Sequence, residues 1–378
     1  NGVCQTFRQS ALPTMYRDCF QGRLVLTRNR TPKESHVNVE MNTLFVTTDG
    51  ASVSKDHETV VIKVDGQPRA QVPLLHLQSI VCMGRSFVTP ELMAACAEAG
   101  ISIAFLTPTG RFLARVEGVP GGNVLLRRAQ YRVADSDSMS LSIARSFVLG
   151  KITNTRQFLL HAKRDASAER QGALAAVCDR LAQYLLSLAD AASVESVRGV
   201  EGIAAKDYFG VFPLLIKRGE EEFAFKGRSR RPPKDRVNAL LSFGYALLMQ
   251  DCAAAASSVG LDPAVGYLHE ERPGRLCLAL DLMEELRVPM VDRLVLAMVN
   301  RKQFSAADFI EESSGGFRMT DDARKRFLVG YQESKQTEVR HEFLGQNTFY
   351  GKVPHLQSLL LARTLRRDVE VYPPFAIR

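Results

Sequence analysis

The run His269–Arg287, HEERPGRLCLALDLMEELR, decides how the rest of the chain is read. It opens on an imidazole and two carboxylates, His269, Glu270 and Glu271. Arg272-Pro273-Gly274-Arg275 then breaks any helix, since proline and glycine together do not continue one. From Leu276 the pattern turns helical, with Leu278, Leu282 and Leu286 on one face and Ala279 and Met283 beside it. Asp281 and Glu284 are three apart and project from neighbouring positions of that helix. Val288-Pro289 ends the clean pattern. A histidine before a tight turn and two carboxylates on the returning helix form a ligand set for Mg²⁺ or Mn²⁺, and less readily for zinc. The plainer reading is an amphipathic helix with a solvated acidic face.

Most of the chain around this run is also helical in pattern. A long amphipathic run covers 127–190, with Arg127, Arg128, Arg132, Arg145, Lys151, Arg156, Lys163 and Arg164 scattered along it. Another helix covers 191–218, and helices follow at about 237–258, 276–298, 320–335 and 351–366. The tail, VEVYPPFAIR, is expected to be extended and unpacked.

The chain before this region reads differently. NTLFVTT, ETVVIKVDG, QPRAQVPLL, SIVCMG, ISIAFLTP and RFLARVEG are short β-branched and apolar runs. Asp65-Gly66 stands where a hairpin turn would. Pro90–Gly100 is a short helix with Thr89 as its cap and Gly100 as its stop. Pro120-Gly121-Gly122 is the best boundary in the sequence. The expectation is therefore an α+β chain in three parts. Residues 1–40 are an N-terminal extension of unknown role, 41–122 a small β-rich domain, and 123–378 a larger all-helical domain.

Composition narrows the class. At 378 residues the chain can bury two sizeable cores. A net charge of +8 favours a polyanionic partner such as nucleic acid. Seven cysteines without a CxxC pair argue against a disulfide framework or a zinc ribbon, and fit a reducing, cytoplasmic compartment. No run of about 18 apolar residues appears, so no membrane-spanning helix is expected.

Two further stretches bear on chemistry. Glu201 lies in VRGVEGIAAKDYF, read as a small-residue, closely packed helical surface. A carboxylate there must be solvated or paired, with Arg198 at i−3 the nearest candidate in sequence. The loop KGRSRRPPKDR holds Lys226, Arg228, Arg230, Arg231, Lys234 and Arg236 against one acid, Asp235. Such a cationic loop suits phosphate contacts, and a solvated surface loop is its bland alternative. Tyr208, Phe209 and Tyr245 are placed either to stack on bases or, as is commoner, in the core.

Taken together, MNTLFVTTDG, RGVEGIAAKDYFGVF, FKGRSRRPPKDRVNALLSFGYALL and GYLHEERPGRLCLALDLMEELR resemble the CRISPR-associated integrase, the Cas-one protein of the adaptation machinery. The resemblance runs in order over about 41–378, and its details look most like the I-C subtype. It implies a small β-domain and a larger helical one. It also implies a divalent-metal centre made by a glutamate at Glu201, a histidine at His269 and an acid at Glu284, where several family members have aspartate. Asp281 supports or shares the site. Such a protein joins a short DNA fragment, the prespacer, into the CRISPR repeat by attack of a 3′-hydroxyl on a phosphodiester. The implied partners are DNA along the Arg228, Arg230, Arg231, Lys234 and Arg236 loop, a second copy through the β-domain, the small Cas-two protein and, in some subtypes, a Cas-four nuclease. Two other readings stand beside this one: a non-catalytic DNA-binding scaffold whose acids are merely solvated, and a metal-dependent phosphodiesterase acting on another nucleic acid.

Overall fold

The computed structural model describes residues 42–108, 110–116, 124–217 and 221–377. The 1–40 extension and the Pro120-Gly121-Gly122 boundary lie outside these residues. Two sheets form the first part. Strands β1 (Asn42–Val46), β5 (Leu77–Met83), β7 (Ser102–Leu106) and β8 (Phe112–Val116) lie in that order, with the first three parallel and β8 antiparallel. Strands β4 (Gln67–Pro73), β3 (Thr59–Val64), β2 (Ala51–Asp56) and β6 (Ser86–Val88) make the second sheet. Asp65 and Gly66 join β3 to β4 with φ of 52° and 75°, the two positive values that a type I′ hairpin turn requires. Helix α1 (Pro90–Glu98) is capped by Thr89, whose Oγ1 accepts the Leu92 N–H, and Gly100 stops it at φ +70°.

Strand β5 explains why its sequence is apolar throughout rather than alternating. Ile80 and Cys82 enter the small core of the β-region with Val53 and Leu92, while Val81 and Met83 enter the large helical core. Successive side chains on a strand point to opposite faces, so both faces of this one are buried.

The helical region follows the sequence pattern with three informative differences. First, the run expected over 127–190 is three helices, α2 (Val124–Ala134), α3 (Asp137–Arg164) and α4 (Ala168–Asp190). The chain turns at Ser136 and Ser167, both in extended geometry, which is the cap conformation serine favours. Helices α5 (Val194–Val211) and α6 (Arg236–Ser258) come next. Second, the helix expected over 276–298 is interrupted. Helix α7 (Cys277–Glu284) gives way to wider π turns over Arg287–Asp292 and then to α8 (Arg293–Asn300). Pro289 has no N–H to offer the Glu285 carbonyl four residues back, and Asn154 Nδ2 of α3 supplies that hydrogen bond at 2.7 Å. Two small hairpins lie among the remaining helices α9 (Asp321–Lys335) and α10 (Val353–Leu365). They are β9 (Phe309–Glu311) with β10 (Phe317–Met319), and β11 (Glu338–His341) with β12 (Gln346–Phe349).

Helix α6 is long and apolar enough to cross a bilayer by length and mean hydropathy, yet 72% of its apolar window is buried inside the protein. That is the signature of a central core helix. Phe243 and Leu247 on it are nearly sealed from solvent.

Third, the tail is extended as expected but packed. Tyr372 to Ala376 are buried. Glu285, fully enclosed, accepts the Tyr372 hydroxyl at 2.6 Å, the Phe375 N–H at 2.7 Å and Gln357 Nε2 at 3.0 Å. Asn154 bonds the Phe375 carbonyl and the Ile377 N–H. The tail thus closes the back of α7 against α3. Gly150 allows the close approach, since a Cβ there would lie 2.8 Å from Pro374 and 2.9 Å from Glu285.

Burial pushes the Glu285 carboxyl up to about 8 despite these hydrogen bonds. The folded chain therefore holds a proton that the unfolded chain releases near 4.5. Glu285 contributes most below that unfolded value, and its contribution is lost as pH rises through about 8. The stability of Glu285→Gln relative to the parent should thus rise by about 1 kcal/mol per pH unit between pH 5 and 8. Urea unfolding across that range measures this, and parallel curves for the two proteins would refute it.

Candidate active site

Three separate segments bring the acids and the imidazole together. Glu284 ends α7, His269 lies on the loop before it, and Glu201 lies on α5. Helix α5 starts cleanly because Ser193 Oγ accepts the Ser196 N–H at 3.2 Å and Ser196 Oγ accepts the Ser193 N–H at 3.0 Å.

The loop is shaped by Asp281, which has no solvent exposure. Its Oδ2 accepts the N–H groups of Tyr267 (2.6 Å) and Leu268 (2.9 Å). Its Oδ1 accepts the His269 N–H (3.0 Å) and meets His269 Nδ1 at 2.6 Å. A carboxylate can only accept, so the ring proton sits on Nδ1 and Nε2 presents its lone pair. Gly266 permits this close wrap, because a Cβ there would stand 2.6 Å from Asp281 Oδ2. Arg198 does not pair with Glu201. Its Nε bonds the Leu268 carbonyl at 2.6 Å and pins the loop to α5.

Glu284 is 3% exposed, with His269 Nε2 3.8 Å from its Oε1. Arg287 reaches the same oxygen at 2.7 Å. The sequence reading passed over Lys151, one of the scattered basic residues of α3. Its ammonium lies 2.6 Å from Glu284 Oε2 and also holds Glu201. Burial alone would raise the Glu284 carboxyl, but Arg287, Lys151 and His269 outweigh it and bring it down to about 2. A lysine that repeats the apolar face of a long helix is the signal that could have found it, since such an ammonium needs buried acids as partners.

Among the described residues no three His, Cys, Asp or Glu side chains stand close enough to cage an ion. The Lys151 ammonium takes the central place instead. The donor set nevertheless fits a hard divalent cation. Two carboxylates converge on one positive charge, an imidazole lone pair faces the same acid, and Glu284 Oε2 is buried without a geometrically sound hydrogen bond. Glu201 is the more open ligand. Contrary to the close packing expected around it, Gly199 and Gly202 are exposed, and a Cβ on either would meet nothing within 4 Å. The two glycines are three apart and open a different face of α5 from the one that carries the carboxylate. A cleft of about 1030 Å³ lies elsewhere, lined by Phe158, Arg170, Leu214 and Arg293 among others, and contains none of these acids.

The basic loop divides into two kinds of residue. Arg230, Arg231 and Lys234 are exposed. Arg228 is turned inward, bonding the Ser229 carbonyl, Asn238 Oδ1 at 2.7 Å and Ser242 Oγ at 3.1 Å. Arg236 bonds the Glu222 carbonyl, and its guanidinium lies 5.3 Å from the centre of the Phe317 ring. Tyr208 and Tyr245 are core residues. Both donate hydroxyl hydrogen bonds to buried Asp292, at 2.9 and 2.6 Å.

Removing Lys151 would leave two carboxylates facing one another with one cation fewer. Lys151→Met should cost about 3 kcal/mol of stability without divalent ions. Denaturant unfolding in EDTA measures this, and an unchanged midpoint would show that the ammonium does not hold the site.

Known proteins similar to this chain fall in one family. The family described as "CRISPR associated protein Cas1" matches residues 44–333. A curated relative from Rhodospirillum rubrum, "CRISPR-associated endonuclease Cas1 2", is 50% identical over 340 residues, covering 89% of this chain and 98% of the relative. Two solved structures share the fold. One, titled "Casposase bound to integration product", has a TM-score of 0.74 and 23% identity, covering 88% of this chain and 92% of that one. The other, a "Cas6-RT-Cas1--Cas2 complex", has a TM-score of 0.75 and 24% identity, covering 93% of this chain and 37% of that one. A match over this much of the chain, and identity this high over nearly the whole of a curated relative, make the protein a member of the Cas1 family of CRISPR-associated endonucleases.

Proposed function

We propose that the protein is a metal-dependent DNA integrase of CRISPR adaptation, which inserts short DNA fragments at the repeat by phosphodiester transesterification. The observation that carries this reading is the convergence of Glu201 and Glu284 on the Lys151 ammonium, with His269 Nε2 3.8 Å from Glu284 Oε1, the three residues coming from three segments. These three residues would hold Mg²⁺ or Mn²⁺. Such an ion, when bound, supplies charge neutralisation at the phosphoryl oxygens and a lower pKa for the attacking hydroxyl.

The chain's own residues do the rest. Glu284 stays ionised across the working pH range because three cationic or imidazole neighbours favour its charged form. Asp281 takes no ligand role in this reading. Its oxygens are occupied by the loop, and it aims His269 Nε2 at the site. In the reaction the fragment's 3′-oxygen forms a bond to phosphorus, the repeat strand's P–O bond breaks, and the proton lost by the attacker ends on the departing 3′-oxygen. Arg230, Arg231 and Lys234 contact phosphates, while Arg228 and Arg236 hold the loop's shape.

The partners follow from the same reading: a second copy through the β-region, a Cas2 protein, and a Cas4 nuclease in the I-C arrangement, acting on cytoplasmic DNA. Exposed Phe87 on edge strand β6, 80% accessible, supports pairing through the β-region.

Two measurements test the reading. With Mn²⁺ or Mg²⁺, a duplex with free 3′ ends and a repeat-bearing supercoiled plasmid should be joined, and EDTA should abolish joining. Glu201→Ala, His269→Ala and Glu284→Ala should each lower the rate at least about 100-fold. DNA binding without joining, indifferent to these substitutions, would return the acids to a scaffold. Separately, Phe87→Glu should shift the chain from dimer to monomer in sedimentation, and an unchanged mass would move the dimer contact elsewhere.

A further inference from the structure

Arg228 reads from sequence as one more cation for DNA, but its surroundings say otherwise. Its guanidinium carbon lies over the Tyr245 ring, 5.3 Å from the centroid. The guanidinium carbon of Arg287 lies over the same ring at 4.9 Å. Arg287 in turn reaches Glu284 Oε1 at 2.7 Å. Tyr245 is itself fixed, since its hydroxyl donates to Asp292 at 2.6 Å and the residue is 8% exposed. Both Nε–H groups, of Arg228 and of Arg287, are buried without an acceptor among the described residues. Each guanidinium therefore depends on the ring's negative face for part of its compensation. Two like charges sharing one ring cannot be indifferent to one another, so displacing one changes the field at the other.

We propose that Arg228, Tyr245 and Arg287 form a positioning relay that couples the DNA-facing loop to the orientation of the Glu284 carboxylate. The inference rests on the integrase reading and deepens it, because the loop then not only holds DNA but sets the geometry of the acid that serves the reaction. Arg228 links outward as well as inward. Asn238 Oδ1 accepts from both the Arg228 side chain and the Ser229 backbone, and Ser229 Oγ accepts the Lys234 N–H. A pull on exposed Arg230, Arg231 or Lys234 is thereby passed to Arg228 through short, directional bonds.

The test uses the full chain, with the joining assay run at saturating DNA and the DNA dissociation constant measured over a salt series. Arg228→Gln should lower the saturated rate about tenfold and leave the slope of log affinity against log salt unchanged, whereas Arg230→Gln should reduce that slope by about one. Tyr245→Leu should lose rate as Arg228→Gln does, and Tyr245→Phe, which keeps the ring, should recover most of it. An Arg228→Gln protein that joins at the parental rate, or that loses a full unit of salt slope, overturns the relay. If Tyr245→Leu does not fold, Arg228→Gln and Tyr245→Phe decide alone. Failure of the parent to join DNA under any metal would instead overturn the integrase reading. Hydrogen exchange then carries the relay without chemistry. DNA-induced protection across Met283–Arg287 that vanishes in Arg228→Gln upholds it, and equal protection in both proteins overturns it.

Discussion

A carboxylate sealed from water organises this molecule's working end. Asp281 satisfies three successive backbone N–H groups and one imidazole nitrogen at once. An ionised group at that depth survives only when its acceptor capacity is fully used. The loop from Tyr267 to His269 must therefore wrap around it, and the imidazole must turn its other nitrogen toward Glu284. Replacing any one donor would leave the charge uncompensated, so the loop has little freedom to adopt another path.

The electrostatic arrangement around Glu284 follows a different logic. Here the compensation comes from side-chain cations rather than backbone amides. Lys151 and Arg287 approach its two oxygens from α3 and from the π turns. A lysine ammonium is a compact point charge on a flexible stem and yields its place more readily than a guanidinium bound over an aromatic ring. The site is thus rigid on the Asp281 side and exchangeable on the Lys151 side. Under the proposed integrase function, a centre that admits a cation and a phosphodiester in turn would use that asymmetry.

Much of the fold was legible in the sequence because local signals agreed with the tertiary outcome. Asp65-Gly66, Thr89 and Gly100 each act through backbone conformation, which a short window contains. The helix breaks at Ser136 and Ser167 were missed because serine also sits inside helices. The acids and His269 could be named, since the order of their motifs resembles a known family. Lys151, however, is separated from Glu201 by 50 residues, and Arg228 looks no different in sequence from Arg230. Which arginine turns inward depends on Asn238, Ser242 and Tyr245 on the following helix, and only packing reveals it. The tail was misjudged for the same reason. Its partner, Glu285, reads as a surface acid until its hydrogen bonds are seen.

The strap formed by Tyr372–Ile377 also bears on the order of events in folding. The bond from the Phe375 amide to Glu285 spans 90 residues of chain. Contacts that distant form only after the intervening segments have been brought into place, because each closure of a long loop costs entropy that shorter contacts must offset beforehand. Residue 375 also leaves the ribosome well after α7 does. For an interval in every chain's life, the clustered acids are present but their backing is not, and the helix that carries Glu284 lacks that support. The working end of this Cas1-family chain is in this way completed only after residue 375 has been made.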